Sequence, residues 1–479
     1  MRTVNPLRRS CAACALAFAA LAGAVSGAQA AATITIVNLN EPGVGFNDPT
    51  PAATVGGNSG TTLGQQRLIA FQAAADIWAA NINSSVPIRV GASFVPLSCS
   101  ESSAVLGSAG ANDIFSDFPG APKTNAWYPS ALASKLAGTD QAPGSPHIVA
   151  RFNSRLGLFP DCLPGSGFYL GLDNHAGTAI DLVSVLLHEL GHGLGFQTFT
   201  DDETGEQIND VPSIWDYFLI DNRSNKLWVN MSNEERRLSS ISYRGLSWNG
   251  PKVKAAVPVV LGPESTLLIT GPAAGGAAGN VDVGDASFGP PLGGVPVVGQ
   301  LMPVVDQENG TGLACTPLSP ANALAVRGNV ALVDRGVCAF VVKARNVQEA
   351  GAIAMVVADN AAGELTGLGG ADPSITIPAV RITQQAGIDL KAKLTRRSRT
   401  TSGVIASLGV NPGKLAGTDA ANRIRMYTPT ELSPGSSVSH YTTDARPNQL
   451  MEPSINADLP HEVKPPRDLT LPLLQDIGW

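Results

Sequence analysis

Residues 180–194, Ile-Asp-Leu-Val-Ser-Val-Leu-Leu-His-Glu-Leu-Gly-His-Gly-Leu, constrain this chain more than any other stretch. Ile180, Leu182, Val183, Val185, Leu186, Leu187 and Leu190 cover most of a helical circumference, and a helix apolar nearly all round belongs in a core. Thr178 and Asp181 resemble a capping box ahead of it, and Gly191, Gly193 and Gly195 gather where it should stop. Three polar side chains, His188, Glu189 and His192, interrupt the apolar run. Burying them unpartnered is costly, so the pattern demands a partner inside the fold.

The spacing names that partner. Side chains four apart share a helix face, so His188 and His192 can offer two imidazoles to one Zn²⁺. Glu189 reaches a water beside the metal without ligating it, and can pass that water's proton to the leaving amine of a cleaved peptide. Zinc needs a third protein ligand. In the compact H-E-x-x-H-x-x-G-x-x-H spacing it would be residue 198; Gly195 fits, but residue 198 is Thr. On the residues alone, His147, His175, His440, His461, Asp201, Asp202, Glu203 and Glu206 all remain open. The acidic stretch Asp201-Asp202-Glu203, with Glu206 and Asp210, is a weak candidate for Ca²⁺, because EF-hand ligand spacing is absent.

Around this helix the pattern reads as α+β. Thr33–Val37 alternates as a strand. Thr62 with Gln65 opens a helix whose stripe is Leu68, Phe71, Ala75, Trp78 and Ile82. Pro87–Val90 begins a strand, residues 98–146 read as mostly irregular, and His147–Phe152 is a short strand. From Lys252 to Val410 small and β-branched residues take over. There Val330–Val333, Val342–Gly351 and Ile353–Val357 form a strand-helix-strand unit, which predicts a separate small domain. Leu471–Ile477 predicts a closing helix, with Pro472 tolerated in its first turn.

The first thirty residues read as an export signal: Arg2, Arg8 and Arg9, an apolar run from Cys11 to Val25, then Ala28-Gln29-Ala30. Cleavage there removes three Arg and no acid, taking the formal charge from −7 to −10. An acidic chain without a basic cluster argues against nucleic acid, and no later apolar stretch suits stable membrane insertion. Four cysteines then remain; the simplest pairing is Cys99 with Cys162 and Cys315 with Cys338, each within one candidate domain. No G-x-S-x-G elbow, P-loop or dinucleotide fingerprint stands in a suitable context.

The sequence His188-Glu189-Leu190-Gly191-His192-Gly193-Leu194-Gly195-Phe196 is followed far downstream by Gly435-Ser436-Ser437-Val438-Ser439-His440 and then Leu450-Met451. Together these resemble a leishmanolysin-type metzincin. The closing Leu474-Gln475-Asp476-Ile477-Gly478-Trp479 is similar to the ends of related bacterial proteins. The resemblance implies an α+β metzincin-like zinc peptidase domain, a twisted sheet plus the active-site helix, with His440 as third zinc ligand and Met451 as the Met-turn residue beneath the metal. A second resemblance lies in Asn329–Phe340, Lys343-Ala344-Arg345-Asn346 and Gln348–Ile353, which look like a protease-associated (PA) domain over about Val295 to Leu394. Such domains are non-catalytic lids or substrate-binding modules. The expected layout is a signal over 1–30, a catalytic domain over 31–252 and 409–479, and an inserted α/β PA domain over 253–408. The expected function is a secreted zinc endopeptidase acting on proteins or peptides. A secreted binding or adhesion protein that keeps a silent zincin fold is the competing expectation.

Overall fold

Alternating β-branched residues and two amphipathic helices build the first layer of the computed structural model, which describes residues 31–305 and 312–479. The expected export signal lies outside those residues. In chain order come β1 (Ile34–Asn38), α1 (Leu63–Asn81), β2 (Ile88–Val95) and β3 (Gly107–Ala111). A short pair, β4 (Ile114–Phe115) with β5 (Tyr128–Pro129), then precedes α2 (Ser130–Ala137) and β6 (Ile148–Asn153). The main sheet runs β1-β2-β6-β3, with the first three strands parallel and β3 antiparallel at the edge. Thr62 caps α1 by accepting the Gln65 amide, and Phe71, Ala75, Trp78 and Ile82 are buried as the periodicity predicts. Leu68 is exposed, so the apolar stripe starts one turn later than expected.

Strand β3 and helix α2 fall in the stretch expected to be mostly irregular. The β3 sequence Gly-Ser-Ala-Gly-Ala carries no β-branched or aromatic residue, so propensity gives no sign of a strand. It forms because close approach favours small residues: a Cβ on Gly107 would stand 3.0 Å from the Phe152 ring and 3.1 Å from Glu189 Cγ.

Two short strands, β7 (Phe168–Tyr169) and β8 (Ile180–Asp181), pair in parallel and lead directly into α3 (Leu182–Leu194). Every residue of α3 is buried. Its cap is Asp181, which accepts the Ser184 amide at 2.7 Å. The expected capping role of Thr178 is thus corrected: the ladder with β7 holds Ile180 and Asp181 extended, so the helix cannot start earlier. The helix ends at Gly195, whose φ of 122° suits glycine.

After β9 (Leu219–Asp221), α4 (Asn233–Ser240), β10 (Leu246–Trp248) and α5 (Pro251–Val260), the chain enters an eight-stranded sheet. Its elements are β11 (Pro263–Thr270), β12 (Gly279–Asp282), β13 (Gly284–Asp285), β14 (Val297–Pro303), α6 (Pro320–Val326), β15 (Val330–Asp334), α7 (Phe340–Glu349), β16 (Ala354–Ala358), β17 (Ala379–Ile382), α8 (Gln384–Lys393) and β18 (Ile405–Leu415). Strands β14, β15, β16 and β17 are parallel neighbours, and the central Val-Ala-Leu-Val-Asp and Ala-Met-Val-Val-Ala runs are buried throughout. Helices cover both faces: Ala344 and Val347 of α7 join one core, Leu390 of α8 the other, which is why these strands are continuous rather than alternating.

The sheet spans Pro263–Leu415, so its edges differ from the expected 253 and 408. Val253, Ala256, Val257 and Val260 of α5 belong to the first core, where α5 packs on α9 (Thr470–Ile477). Disulfides join Cys99 to Cys162 and Cys315 to Cys338, the simplest pairing.

Candidate metal centre

The three imidazoles of His188, His192 and His440 meet although the third lies 248 positions beyond the second. Their Nε2 atoms are 3.1 Å (His188 to His192), 3.1 Å (His192 to His440) and 3.3 Å (His188 to His440) apart. Each ring is aimed by its other nitrogen, which bonds a backbone carbonyl: His188 Nδ1 to Leu450 O at 2.7 Å, His192 Nδ1 to Phe196 O at 2.7 Å and His440 Nδ1 to Ser436 O at 2.9 Å. A carbonyl only accepts, so each Nδ1 carries the proton and each Nε2 turns a lone pair toward the others. Burial, reinforced for His192 and His440 by the neighbouring imidazoles, opposes any added proton: it holds His188 at about 4 and His192 at about 3, and His440 well below the ordinary imidazole value.

Three buried lone pairs pointing at one spot repel unless a cation sits among them. Tetrahedral Zn²⁺ with Zn–N near 2.0–2.1 Å places ligand nitrogens about 3.3–3.4 Å apart, close to the spacing found. The donor set therefore fits a zinc ion. Among the described residues this trio is the one group of three or more His, Cys, Asp or Glu whose ligand atoms converge.

Glu189 sits beside the trio, 7% exposed, and lines the same cleft. Burial pushes its carboxyl up to about 8, partly offset by the Ala109 backbone of β3. Met451 lies under the helix: its Sδ is 2.8 Å from where a Cβ on Gly191 would stand. The Tyr441 amide donates to Met451 O at 2.8 Å, tying the turn to the residue after His440. Gly193 is pressed against Ile148 of β6, where a Cβ would come within 2.4 Å, so glycine at 191 and 193 lets the helix lie directly on the turn and the sheet. Trp479 Nε1 donates to Leu194 O at 2.7 Å and latches the chain's end to the helix terminus.

The other candidate ligands lie elsewhere. His147 is buried, its Nδ1 accepting the Arg89 amide and its Nε2 3.2 Å from Asp140. His175 is exposed beside Asp173. His461 Nε2 lies 2.8 Å from Asp181 Oδ1. Asp201 turns back on its own loop, accepting the amides of Glu203 and Thr204, and the neighbouring acids form no converging set with it. Thr198, at the compact-spacing position, bonds Asp216 instead.

The trio and Glu189 open into a cleft of about 1040 Å³. One wall is residues 104–109 leading into and along β3; another is the 453–459 segment after Met451; a third is 434–440. Sequence reasoning missed Asp181 and Gln197 here. Both line the cleft, and Asp181 Oδ2 and Gln197 Nε2 are buried with no hydrogen-bond partner among the described residues. Only their position at the two ends of α3 could have flagged them.

Residues 297–390 match the PA domain family. A probable lipoprotein aminopeptidase, LpqL, of Mycobacterium tuberculosis is 36% identical over 101 residues, 21% of this chain and 20% of the relative. Signal peptide peptidase-like 2 of Arabidopsis thaliana is 38% identical over 93 residues, 19% of this chain and 16% of the relative. The chain thus spans a fifth or less of the length of these curated relatives. A zinc aminopeptidase structure from Bacillus subtilis superposes with a TM-score of 0.22 at 17% identity, over 33% of this chain and 36% of that one. The parallel β14–β17 core with α7 and α8 on its two faces coincides with the matched residues 297–390, so this chain contains a PA domain.

Proposed function

We propose that this chain is an exported zinc-dependent endopeptidase of metzincin type, split by the inserted PA domain, with His188, His192 and His440 as zinc ligands and Met451 as the supporting turn. The observation that carries the reading is the convergence of three Nε2 lone pairs within 3.3 Å, next to a buried glutamate, on the wall of an open cleft. Zinc, when bound, supplies Lewis acidity to the scissile carbonyl and makes a neighbouring water more acidic.

The chain's own groups do the rest. Glu189 takes a proton from the attacking water as the new C–O bond forms, and hands it to the amine as the peptide C–N bond then breaks. Among the described residues strand β3 pairs with β6 alone, leaving its other edge to take an extended peptide as an added strand. The backbone carbonyls of Leu450, Phe196 and Ser436 fix the imidazole orientations, so the ligand geometry is set before metal arrives. Two disulfides suit an oxidising, extracytoplasmic setting, and no helix among the described residues is long and apolar enough to cross a membrane.

The test is cleavage of casein by the zinc-loaded full chain against Glu189→Ala. The variant should keep its zinc and lose about 10²–10⁴-fold in rate, the contribution of a general base. Equal cleavage by the variant rejects the mechanism. Zinc without cleavage in the unaltered chain favours a silent binding protein.

A further inference from the structure

We infer that Asp216 is a positioning residue of the metal centre: acting through Thr198, it fixes the segment that aims the His192 ring against the loop that carries His440. The inference rests on the zinc-centre reading and does not require the chain to cut peptides. Asp216 is fully buried. Its Oδ1 accepts the Thr198 hydroxyl at 2.8 Å. Its Oδ2 accepts the Thr200 hydroxyl at 2.7 Å, the Ser213 amide at 2.9 Å and the Gln207 side-chain amide at 3.3 Å. All four are neutral donors. A carboxylate taken out of water is costly unless it is hydrogen-bonded, so each donor is held in place by the group it satisfies.

Those donors sit where the two halves of the metal centre meet. Phe196 O, two residues before Thr198, accepts from His192 Nδ1 at 2.7 Å. The Thr198 amide donates to Ser439 Oγ at 3.2 Å, and the next residue is His440. Thr198 therefore grips Asp216 with its hydroxyl and the third-ligand loop with its amide. Aromatic contacts follow the same path: the Phe196 ring lies 4.8 Å from Trp215, the neighbour of Asp216, and 5.0 Å from Tyr441, the neighbour of His440. Residue 198 is where the compact spacing would supply the third imidazole. Here that imidazole comes from elsewhere, and residue 198 steers it.

The loop needs such a brace. Val438 is buried with a φ of 66°, a left-handed conformation that a β-branched residue keeps only when its surroundings impose it. The acceptor for His440 Nδ1, Ser436 O, belongs to the same loop and moves with it. Tyr427 pairs with the loop through the Val438 amide and His440 O, both at 2.8 Å. The Thr198–Ser439 bond joins it to the segment leaving α3.

Two readouts of the full chain test this: zinc affinity by competition with a chromophoric chelator, and the visible absorption of the Co²⁺-loaded protein, which reports ligand geometry. Thr198→Val keeps the side-chain shape and leaves three donors on Asp216. It should fold, bind zinc about 10–100-fold more weakly and change the Co²⁺ absorption. Thr198→Ser, which keeps the hydroxyl, should restore both. Thr200→Val removes an equally short bond to the same carboxylate without touching Ser439, so it should cost stability and leave the absorption unaltered. Asp216→Ala should move both readouts at least as far as Thr198→Val; if it does not fold, Thr198→Val decides alone. Unchanged zinc affinity and absorption in Thr198→Val overturn the inference, as does failure of Thr198→Ser to restore them. An equal spectral change in Thr200→Val makes the effect a general loosening and also overturns it. If the unaltered chain binds no zinc, the metal reading fails and takes this inference with it. If it binds zinc and cuts nothing, hydrolysis alone is rejected, and the metal readouts still decide the role of Asp216.

Discussion

Met451 Sδ occupies the space that a side chain on Gly191 would need, 2.8 Å from the position of its Cβ. The helix holding two of the imidazoles and the turn following the third are therefore in direct contact, and glycine is what permits it. Gly191→Ala forces the sulfur or the helix aside. Overpacking of this kind costs about 1–3 kcal/mol. Thermal unfolding should show that loss, and zinc content per chain should fall with it; full zinc content at unchanged stability would remove the turn from any role at the site.

His440→Ala deletes one of three converging donors while leaving the helix pair intact. Zinc bound per chain should drop well below that of the unaltered protein under the same dialysis. Undiminished stoichiometry would hand the third position to another donor.

The pH dependence of the metal-free protein follows from burial. Folded His188 and His192 titrate at about 4 and about 3, against about 6.5 when unfolded, and His440 shifts the same way. As pH falls through 6.5 the unfolded chain takes up protons that the folded chain refuses, so stability drops by about 1.4 kcal/mol per unit per group. Glu189 has the opposite sign: folded at about 8 and near 4.5 unfolded, it withdraws stability as pH rises from 4.5 to 8. Glu452, also raised to about 8 by burial, acts in the same direction, and since three imidazoles outweigh these two carboxyls below 6.5, unfolding temperature should peak near neutrality. Glu189→Gln should flatten the fall on the alkaline side, and a fall of the same slope in that variant would contradict the assignment.

The Cys99–Cys162 disulfide closes a loop of 63 residues that brings Leu163 to the same cleft rim as residues 102–106. Replacing both cysteines with serine should lower unfolding stability by about 2–4 kcal/mol. It should also speed amide exchange in residues 102–106. Protection unchanged there would mean the rim is held by its backbone bonds alone.

Much of the site was legible in a few residues. The four-residue spacing of His188 and His192, inside a helix too apolar to be exposed, demanded a buried cation, because local periodicity fixes which side chains share a face. Strong β-branched runs such as Val330–Val333 and the Thr62 cap were legible for the same reason: the signal lies within one turn or one strand. The chain's resemblance to known families singled out His440 and the PA segment, which spacing alone left open among eight donors.

Tertiary contact decided what local pattern could not carry. Strand β3 has no strand-forming residue and exists because Phe152 and Glu189 pack against its glycine. The start of α3 moved to the Asp181 cap because β7 pairs with Ile180 and Asp181. The approach of His440 to a helix 248 positions away, and the aiming of its ring by Ser436 O, depend on the folding of everything between. Periodicity acts over a few ångströms of one chain segment; convergence of lone pairs is a property of the packed whole.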